Sequence, residues 1–272
     1  MWPFSSSSSK IDPQSQQARQ LRAAAKELNY DITQMNYFYD YISEIKSWST
    51  HISNTRRYIV ECANRCSNRD TCVVLGSGYC FDVPVLELSR MFKKVYLMDM
   101  MHPSKVQQKM REFKNVEFIT EDVTKIVIET ANSINRYKDF AVDLLMSSPN
   151  YSMGNMCDKL GDYSMVVSVN LLSFLAKPII QYLSRVKLID DIAEHQLEAF
   201  VHRYHINMLP KGKSCIVSPI SKRLYNADGL QMYDHSVVYI PKEEIHEPES
   251  WQWIFSNAGT GRVEYGVKAW QR

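Results

Sequence analysis

Glycine and proline are scarce in this chain of 272 residues, which contains 9 and 10 of them respectively. This scarcity, together with a hydrophobic content of 45%, excludes collagen-like, low-complexity and wholly disordered chains. A strong basic excess is also lacking, because 32 Lys and Arg residues face 30 Asp and Glu residues. Dedicated nucleic-acid binders usually carry such an excess, so the charge balance gives no strong nucleic-acid signal.

Long apolar runs and cysteine pairs are lacking too. A membrane-spanning helix needs about 18 apolar residues, and the most apolar run, YSMVVSVNLLSFLAKPII, is interrupted by Ser, Asn and Lys. The first ten residues have neither the basic start nor the apolar core of a secretory signal. None of the six cysteines forms a C-x-x-C pair. We therefore expect a cytoplasmic protein with no membrane span and no disulfide framework.

Several common catalytic motifs do not occur in the sequence. Neither G-x-x-x-x-G-K-[ST] nor G-x-S-x-G is found, which disfavours P-loop nucleotide hydrolases and α/β-hydrolases. His195, His202 and His205 lie on one predicted helix, without an H-E-x-x-H motif or a cysteine partner. We interpret them as residues of the helix surface and predict no metal site.

The pattern along the chain divides it into a tail, a helical segment and an α/β domain. Residues 1–12 predict a flexible tail, because five consecutive serines bury nothing. Residues 13–69 predict helices, because apolar residues recur there at helical spacing. One apolar stripe comprises Met35, Phe38, Ile42 and Ile45. Residues 70–272 predict the α/β domain.

Aromatic side chains are dense within the helical segment. The cluster comprises Tyr37, Phe38, Tyr39, Tyr41 and Trp48. Helix packing is the favoured interpretation, and a lid over a substrate pocket is the alternative. Near the C-terminus, Trp251, Trp253 and Trp270 predict packing on strands.

Short β-rich runs alternate with helical patterns from residue 70 onward. Strands are expected at 71–75, 94–98, 115–119, 163–169, 213–219, 235–240 and 262–270. Helices are expected at 82–92, where Asp82 can cap the first turn, at 123–138 and along 188–208. Residues 140–146 suit either a strand or the end of a helix. The fourth strand is assigned to 163–169, because that run is more β-branched and lacks an internal charge. This alternation predicts an α/β, Rossmann-like, mostly parallel sheet with helices on both faces.

The most informative segment is 73–99, in which a strand ends in Gly76-Ser77-Gly78 and the next strand ends in Asp99. Glycines at such a turn let the backbone approach a ligand closely. The turn lies at the carboxyl edge of the sheet, where open α/β folds bind ligands. From the neighbouring strand end, the Asp99 carboxylate can accept both hydroxyls of a ribose.

The residues after this turn discriminate between two kinds of cofactor. Dinucleotide enzymes prefer G-x-G-x-x-G, with a pyrophosphate at the start of the helix. Here Phe81 takes the third glycine position and the anion Asp82 follows it. A ligand without phosphate therefore suits the site better, and S-adenosyl-L-methionine is such a ligand.

Residues 71–270 resemble the class I S-adenosylmethionine-dependent methyltransferase superfamily at the level of motifs. VLGSGYCFD is similar to its glycine motif, YLMDM to the segment after its second strand, ITEDVT to that after its third and VVSVNLLSFL to that after its fourth. The resemblance implies a closing antiparallel hairpin, here 235–240 with 262–270, and a variable N-terminal helical cap. It also implies S-adenosyl-L-methionine as the cofactor, with methyl transfer to an acceptor.

The same resemblance implies roles for individual residues. Asp99 would bind the ribose hydroxyls, Asp122 would meet the adenine amino group, and Val123 would offer its backbone. For Asp122, capping of the following helix is the alternative. The implied cofactor-binding set comprises Gly76, Ser77, Gly78, Asp99, Met100, Asp122, Val123, Asn170 and Leu171.

The sequence departs from the family pattern at three places. Val74 stands where an acid often precedes the glycine motif, and Cys80 stands where a third glycine often follows. SSPNY at 147–151 only weakly echoes (D/N)-P-P-Y, so the methyl acceptor is not identified. The near-neutral charge favours a small molecule, with His102 and Tyr151 as substrate-side candidates.

Two alternatives to a methyltransferase stay open at this point. One is an NAD(P)-dependent oxidoreductase. The other is a non-catalytic S-adenosylmethionine-binding scaffold, whose aromatic N-terminal helices would face a partner.

Overall fold

The structure, a computed structural model, describes residues 16–137, 163–258 and 260–272. Its helices are α1 Gln16–Glu27, α2 Tyr30–Ser43, α3 Ile45–Arg65, α4 Val85–Met91, α5 Ser104–Met110, α6 Val127–Tyr137, α7 Lys177–Arg185 and α8 Asp191–Met208. Its strands are β1 Thr71–Leu75, β2 Lys94–Asp99, β3 Val116–Thr120, β4 Met165–Val169, β5 Ser214–Asn226, β6 Gln231–Ser236, β7 Glu249–Ala258 and β8 Gly261–Gln271. The run 140–146 and Tyr151 lie outside the described residues.

The strands form one sheet in the order β3-β2-β1-β4-β5-β8-β7, with β6 paired to β5. Strands β1 to β5 run parallel, and β8 lies antiparallel between β5 and β7. The strand order reverses between β1 and β4. In open α/β sheets such a reversal creates a crevice at the carboxyl ends of the two strands.

Helices cover both faces of the sheet, and a separate apolar core fills each side. Side chains alternate along a strand, so Val73 and Leu75 face the core under α1, α6, α7 and α8. Cys72 and Val74 face the opposite core, under α3, α4 and α5. The predicted fold class, a mostly parallel sheet with helices on both faces and a closing antiparallel hairpin, is confirmed.

The position of the closing hairpin was predicted wrongly. The sequence suggested 235–240 paired with 262–270, whereas the hairpin consists of β7 and β8. Strand β6 instead pairs with the outer half of β5 and is almost entirely exposed. The prediction placed a strand on the apolar residues that follow Ser236. The actual strand β6 is exposed, so it has no apolar periodicity that would reveal it.

The apolar stripe predicted from Met35 to Ile45, which runs along α2 to the first residue of α3, does not face a core. Met35, Ile42 and Ile45 are 45%, 52% and 48% exposed, and no described residue of α2 is fully buried. Helical periodicity shows that residues share a face, but not what covers that face. The opposite side of α2 faces the sheet's carboxyl edge.

Two of the three helix histidines are buried, contrary to the surface positions predicted for them. The Ser168 hydroxyl lies 2.8 Å from His205 Nε2, and the Tyr239 N–H donates to His202 Nδ1 at 3.2 Å. Burial lowers the pKa of His202 to about 4 and that of His205 to about 3, so both stay neutral at pH 7. His195 is exposed, as predicted. Hydrogen bonds to β4 and to the segment after β6 make these polar rings compatible with a core.

Among the described residues, no helix combines the length and apolar character that crossing a membrane requires.

Candidate functional site

The loop that follows β1 is shaped by glycine. Gly76 has a φ of +71°, and a Cβ atom there would lie 2.7 Å from Leu171 Cδ1. The Gly76 N–H donates to the Met98 carbonyl at 2.9 Å, which fastens the loop to β2. A residue other than glycine would therefore meet both backbone strain and the end of β4. Because Gly76 has no side chain, the loop can pass close to the crevice between β1 and β4.

Asp99, the last residue of β2, is joined directly to this loop. Its Oδ2 accepts the Gly78 N–H at 2.8 Å, and its Oδ1 accepts the Met101 N–H at 3.3 Å. Burial raises the pKa of the Asp99 carboxyl, while His102 and the backbone N–H donors act to lower it. Each oxygen of a carboxylate keeps a further lone pair. Asp99 can therefore hold the loop and still accept hydroxyl groups from a ligand.

Asp122 fastens the segment after β3. Its Oδ1 accepts the Thr124 N–H at 2.8 Å and the Thr124 hydroxyl at 2.6 Å, and its Oδ2 accepts the Val127 N–H at 2.9 Å. Val127 begins α6, so the alternative role as a helix cap has structural support. Burial raises the pKa of this carboxyl. The same bonds hold the neighbouring Val123 on the pocket wall.

Asn170, directly after β4, joins three elements through its amide. One terminal atom of this amide lies 2.6 Å from Asp82 Oδ2 and 2.8 Å from His51 Nε2. The Trp251 indole N–H in turn donates to His51 Nδ1 at 3.0 Å. The prediction that Asp82 caps the following helix is wrong, because Pro84 takes the N-cap position of α4 without a side-chain bond. Asp82 instead faces the end of β4.

Helix α2 forms one wall of the site. Tyr30, Thr33, Gln34 and Tyr37 line the pocket from this helix. Gln34 Nε2 donates to the Met101 carbonyl at 3.2 Å, which ties α2 to the segment after β2.

The aromatic residues of this region also pack on one another. The Tyr37 ring lies 5.1 Å from that of Trp48, and Tyr41 stacks on Phe81 at 3.7 Å. Aromatic packing is therefore confirmed, and the alternative of a helix over a pocket also has support. The sequence reading missed Tyr30, Thr33 and Gln34, for which no motif gave a signal.

All nine residues of the predicted site line one pocket. Its lining includes Gly76, Ser77, Gly78, Asp99, Met100, Asp122, Val123, Asn170 and Leu171. Asp82, Phe174 and Pro178 line it as well. His102 lies in a neighbouring groove rather than in this lining, with its Nε2 3.0 Å from the Ile119 carbonyl. The predicted residues therefore share one cavity, although they come from four separate stretches of sequence.

Three buried polar atoms on the pocket wall have no hydrogen-bond partner among the described residues. They are the hydroxyls of Ser77 and Tyr30 and the amide atom of Asn170 that faces neither His51 nor Asp82. An unpaired buried polar group costs about 1–3 kcal/mol, and native proteins keep few of them. Their presence in one pocket indicates a site that a polar ligand completes.

The described residues contain no cluster of three or more His, Cys, Asp or Glu side chains that could hold a metal ion.

Comparison with known proteins gives distant structural similarities only. No protein-family model matches the chain, and no curated protein matches it. The N-methyltransferase NodS from Bradyrhizobium japonicum WM9, in complex with S-adenosyl-L-homocysteine, is 10% identical, with 92% of this chain and 97% of that chain covered and a TM-score of 0.40. The 1,6-didemethyltoxoflavin-N1-methyltransferase from Burkholderia thailandensis is 12% identical, with 88% of each chain covered and a TM-score of 0.39. A DhpI-SAM-HEP complex is 14% identical, with 93% and 95% covered and a TM-score of 0.35.

Proposed function

We propose that the chain is an S-adenosyl-L-methionine-dependent methyltransferase whose cofactor occupies the pocket between α2 and the ends of β1 to β4. The observation that carries this proposal is the pairing of Gly78 and Asp99. The Gly78 N–H fixes the Asp99 carboxylate at the pocket wall, where its remaining lone pairs suit the two hydroxyls of a ribose.

The other residues of the pocket fit the remainder of this cofactor. Asp122 and Val123 would border the adenine, and the buried Tyr30 hydroxyl offers a further polar contact. At the opposite end, Ser77 and Asn170 provide unpaired polar atoms for the amino acid tail.

The charge of the lining favours a cation over a diphosphate. Asp82, Asp99 and Asp122 line the pocket, and the described lining residues include no Lys or Arg. A diphosphate would meet repulsion from the ionised carboxyls of this lining, whereas a sulfonium would be attracted to them. This difference supports S-adenosylmethionine over NAD(P).

The pocket would promote methyl transfer mainly by positioning. S-adenosylmethionine supplies an electrophilic methyl group on its sulfonium. The chain's own residues hold the ribose at Asp99 and exclude water with the rings of Tyr37 and Phe174, since positioning and desolvation favour in-line attack. We propose a small molecule as the acceptor, because the chain carries a formal charge of only +2.

A comparison of ligands by thermal unfolding tests the proposed function. S-adenosylhomocysteine at 100 times its dissociation constant is expected to add about 2.7 kcal/mol to the free energy of unfolding. NADH at equal concentration is expected to leave the melting temperature unchanged. Stabilisation by NADH alone would favour an oxidoreductase. Stabilisation by S-adenosylhomocysteine without methyl transfer to any acceptor in fractionated small-molecule extracts would favour the scaffold.

A further inference from the structure

The hydrogen-bond chain of Trp251, His51, Asn170 and Asp82 has an internal direction. An indole N–H only donates, so His51 Nδ1 accepts from Trp251 and carries no proton. The His51 proton therefore sits on Nε2, and the Nε2–H must donate to the amide atom of Asn170 that lies 2.8 Å away. Charging the ring would put N–H groups face to face at Trp251. Burial agrees with a neutral ring, since it lowers the pKa of His51 to about 3.

This direction decides which way the Asn170 amide points. The atom that faces His51 must be an acceptor, so it is the amide oxygen; the oxygen and nitrogen of an asparagine are assigned from their partners. The same atom lies 2.6 Å from Asp82 Oδ2. Two oxygens at this distance require a proton between them, and 2.6 Å lies within the usual range for an O–H···O bond. Each donor and acceptor in this hydrogen-bond chain has a partner only when Asp82 carries that proton.

We propose that Asp82 is a neutral acid in the ligand-free pocket and releases its proton when the positive charge of S-adenosylmethionine enters, with His51 as the positioning residue. The release step rests on the proposed function. The O–H bond of Asp82 breaks, its proton passes to the buffer, and the carboxylate turns from the Asn170 oxygen to face a cation. The pocket thus loses a proton and gains a sulfonium, so its net charge does not change. It holds neither an unpaired carboxylate before binding nor an unpaired sulfonium afterwards.

The groups around Asp82 are consistent with this assignment. Burial raises the pKa of the Asp82 carboxyl, and Asp82 is 9% exposed. From α3, the charge of Arg56 acts to lower that pKa, but Arg56 Nη2 donates to the Phe81 carbonyl at 2.6 Å rather than to Asp82. Burial raises the pKa values of Tyr37 on α2 and of Cys80 in the loop. Both are therefore neutral neighbours at pH 7.

Asp82 differs from the two other carboxyls of the pocket in its hydrogen-bond partners. Asp99 accepts backbone N–H groups from Gly78 and Met101, and Asp122 accepts those of Thr124 and Val127. Fixed N–H donors stabilise a carboxylate. Among the described residues, Asp82 interacts only with its own backbone N–H in this way, which acts to lower its pKa. Its side-chain partner is the Asn170 amide, whose oxygen His51 turns toward it. The hydrogen-bond partners therefore favour the carboxylate form at Asp99 and Asp122 and the protonated form at Asp82.

Infrared difference spectroscopy tests the proton on Asp82 without any ligand. At pH 7, wild type minus D82N is expected to show the carbonyl-stretch band of a protonated carboxylic acid. D228N, a change at an exposed hairpin turn, is the control. Its spectrum minus that of D82N is expected to show the same band. The lack of a difference band between wild type and D82N would overturn the proposal.

Variants of His51 test its positioning role. H51F removes the N–H donor, so the Asn170 amide can turn its NH2 toward Asp82, and the band is expected to disappear although Asp82 is present. H51Q offers both an acceptor and a donor and is expected to retain the band. Near-UV circular dichroism verifies folding of each variant. A band that persists in folded H51F would refute the role of His51.

Saturating S-adenosylmethionine tests the release. The Asp82 band is expected to vanish in wild type, with a raised melting temperature as independent proof of binding. A band that survives proven binding would overturn the release. A lack of any stabilisation would overturn the release and the proposed function together, whereas the ligand-free spectra would still decide the protonation of Asp82 by themselves.

Discussion

D99A is expected to bind S-adenosylhomocysteine about 10–100-fold more weakly than the wild type. The loss corresponds to about 1.4–3 kcal/mol, the range for hydrogen bonds to a charged group. Alanine removes the acceptors for the ribose hydroxyls, and it also frees the Gly78 N–H that Asp99 Oδ2 accepts at 2.8 Å. Isothermal titration calorimetry measures the change directly.

Two further variants separate ligand binding from loop support. D99N keeps an oxygen for the Gly78 N–H but loses the charge, so we expect an intact fold with binding still weakened about tenfold. D70A changes an acid at the opposite edge of the sheet, where Asp70 pairs with Lys93 at 2.6 Å, and is expected to bind like the wild type. Unchanged affinity of D99A for S-adenosylhomocysteine would show that Asp99 does not bind the ribose.

G76A is expected to lower the free energy of unfolding more than an ordinary loop substitution. A left-handed backbone costs an alanine about 1–2 kcal/mol, and Gly76 has a φ of +71°. The new Cβ would lie 2.7 Å from Leu171 Cδ1, and overpacking of this kind costs a further ~1–3 kcal/mol. Urea unfolding followed by circular dichroism measures the total.

Gly229 offers the matched control for Gly76. Its φ is +79°, and a Cβ there would meet nothing within 4 Å. G229A therefore isolates the backbone cost and is expected to be less destabilised than G76A. Equal losses in the two variants would contradict a close approach between the glycine loop and Leu171.

The sequence predicted the parallel part of the sheet well because its strands are short, β-branched and bounded by turn residues. TCVVL predicts β1 at 71–75, and the pattern that ends in Asp99 correctly gives β2. The convergence of the nine site residues also followed from chain order, since the carboxyl ends of parallel strands share one edge.

Other features could not be derived because they depend on partners far along the chain. The burial of His202 and His205 relies on Tyr239 and Ser168, which no local pattern connects to them. Asp82 has the type and position of a helix cap, yet Asn170 is its partner. Strand β7 does carry a period-two aromatic signal at Trp251, Trp253 and Phe255, which could have located the closing hairpin.

The attachment of α3 to β7 has a consequence for biosynthesis. Trp48 Nε1 donates to the Phe255 carbonyl at 2.7 Å, across 207 positions of sequence, and the Trp48 and Trp253 rings meet edge-on at 4.9 Å. A ribosome adding about 5–20 residues per second needs on the order of ten to forty seconds to cover that interval. During this time the aromatic faces of the nascent helices stay uncovered. Chaperone demand should therefore last until the hairpin of β7 and β8 emerges.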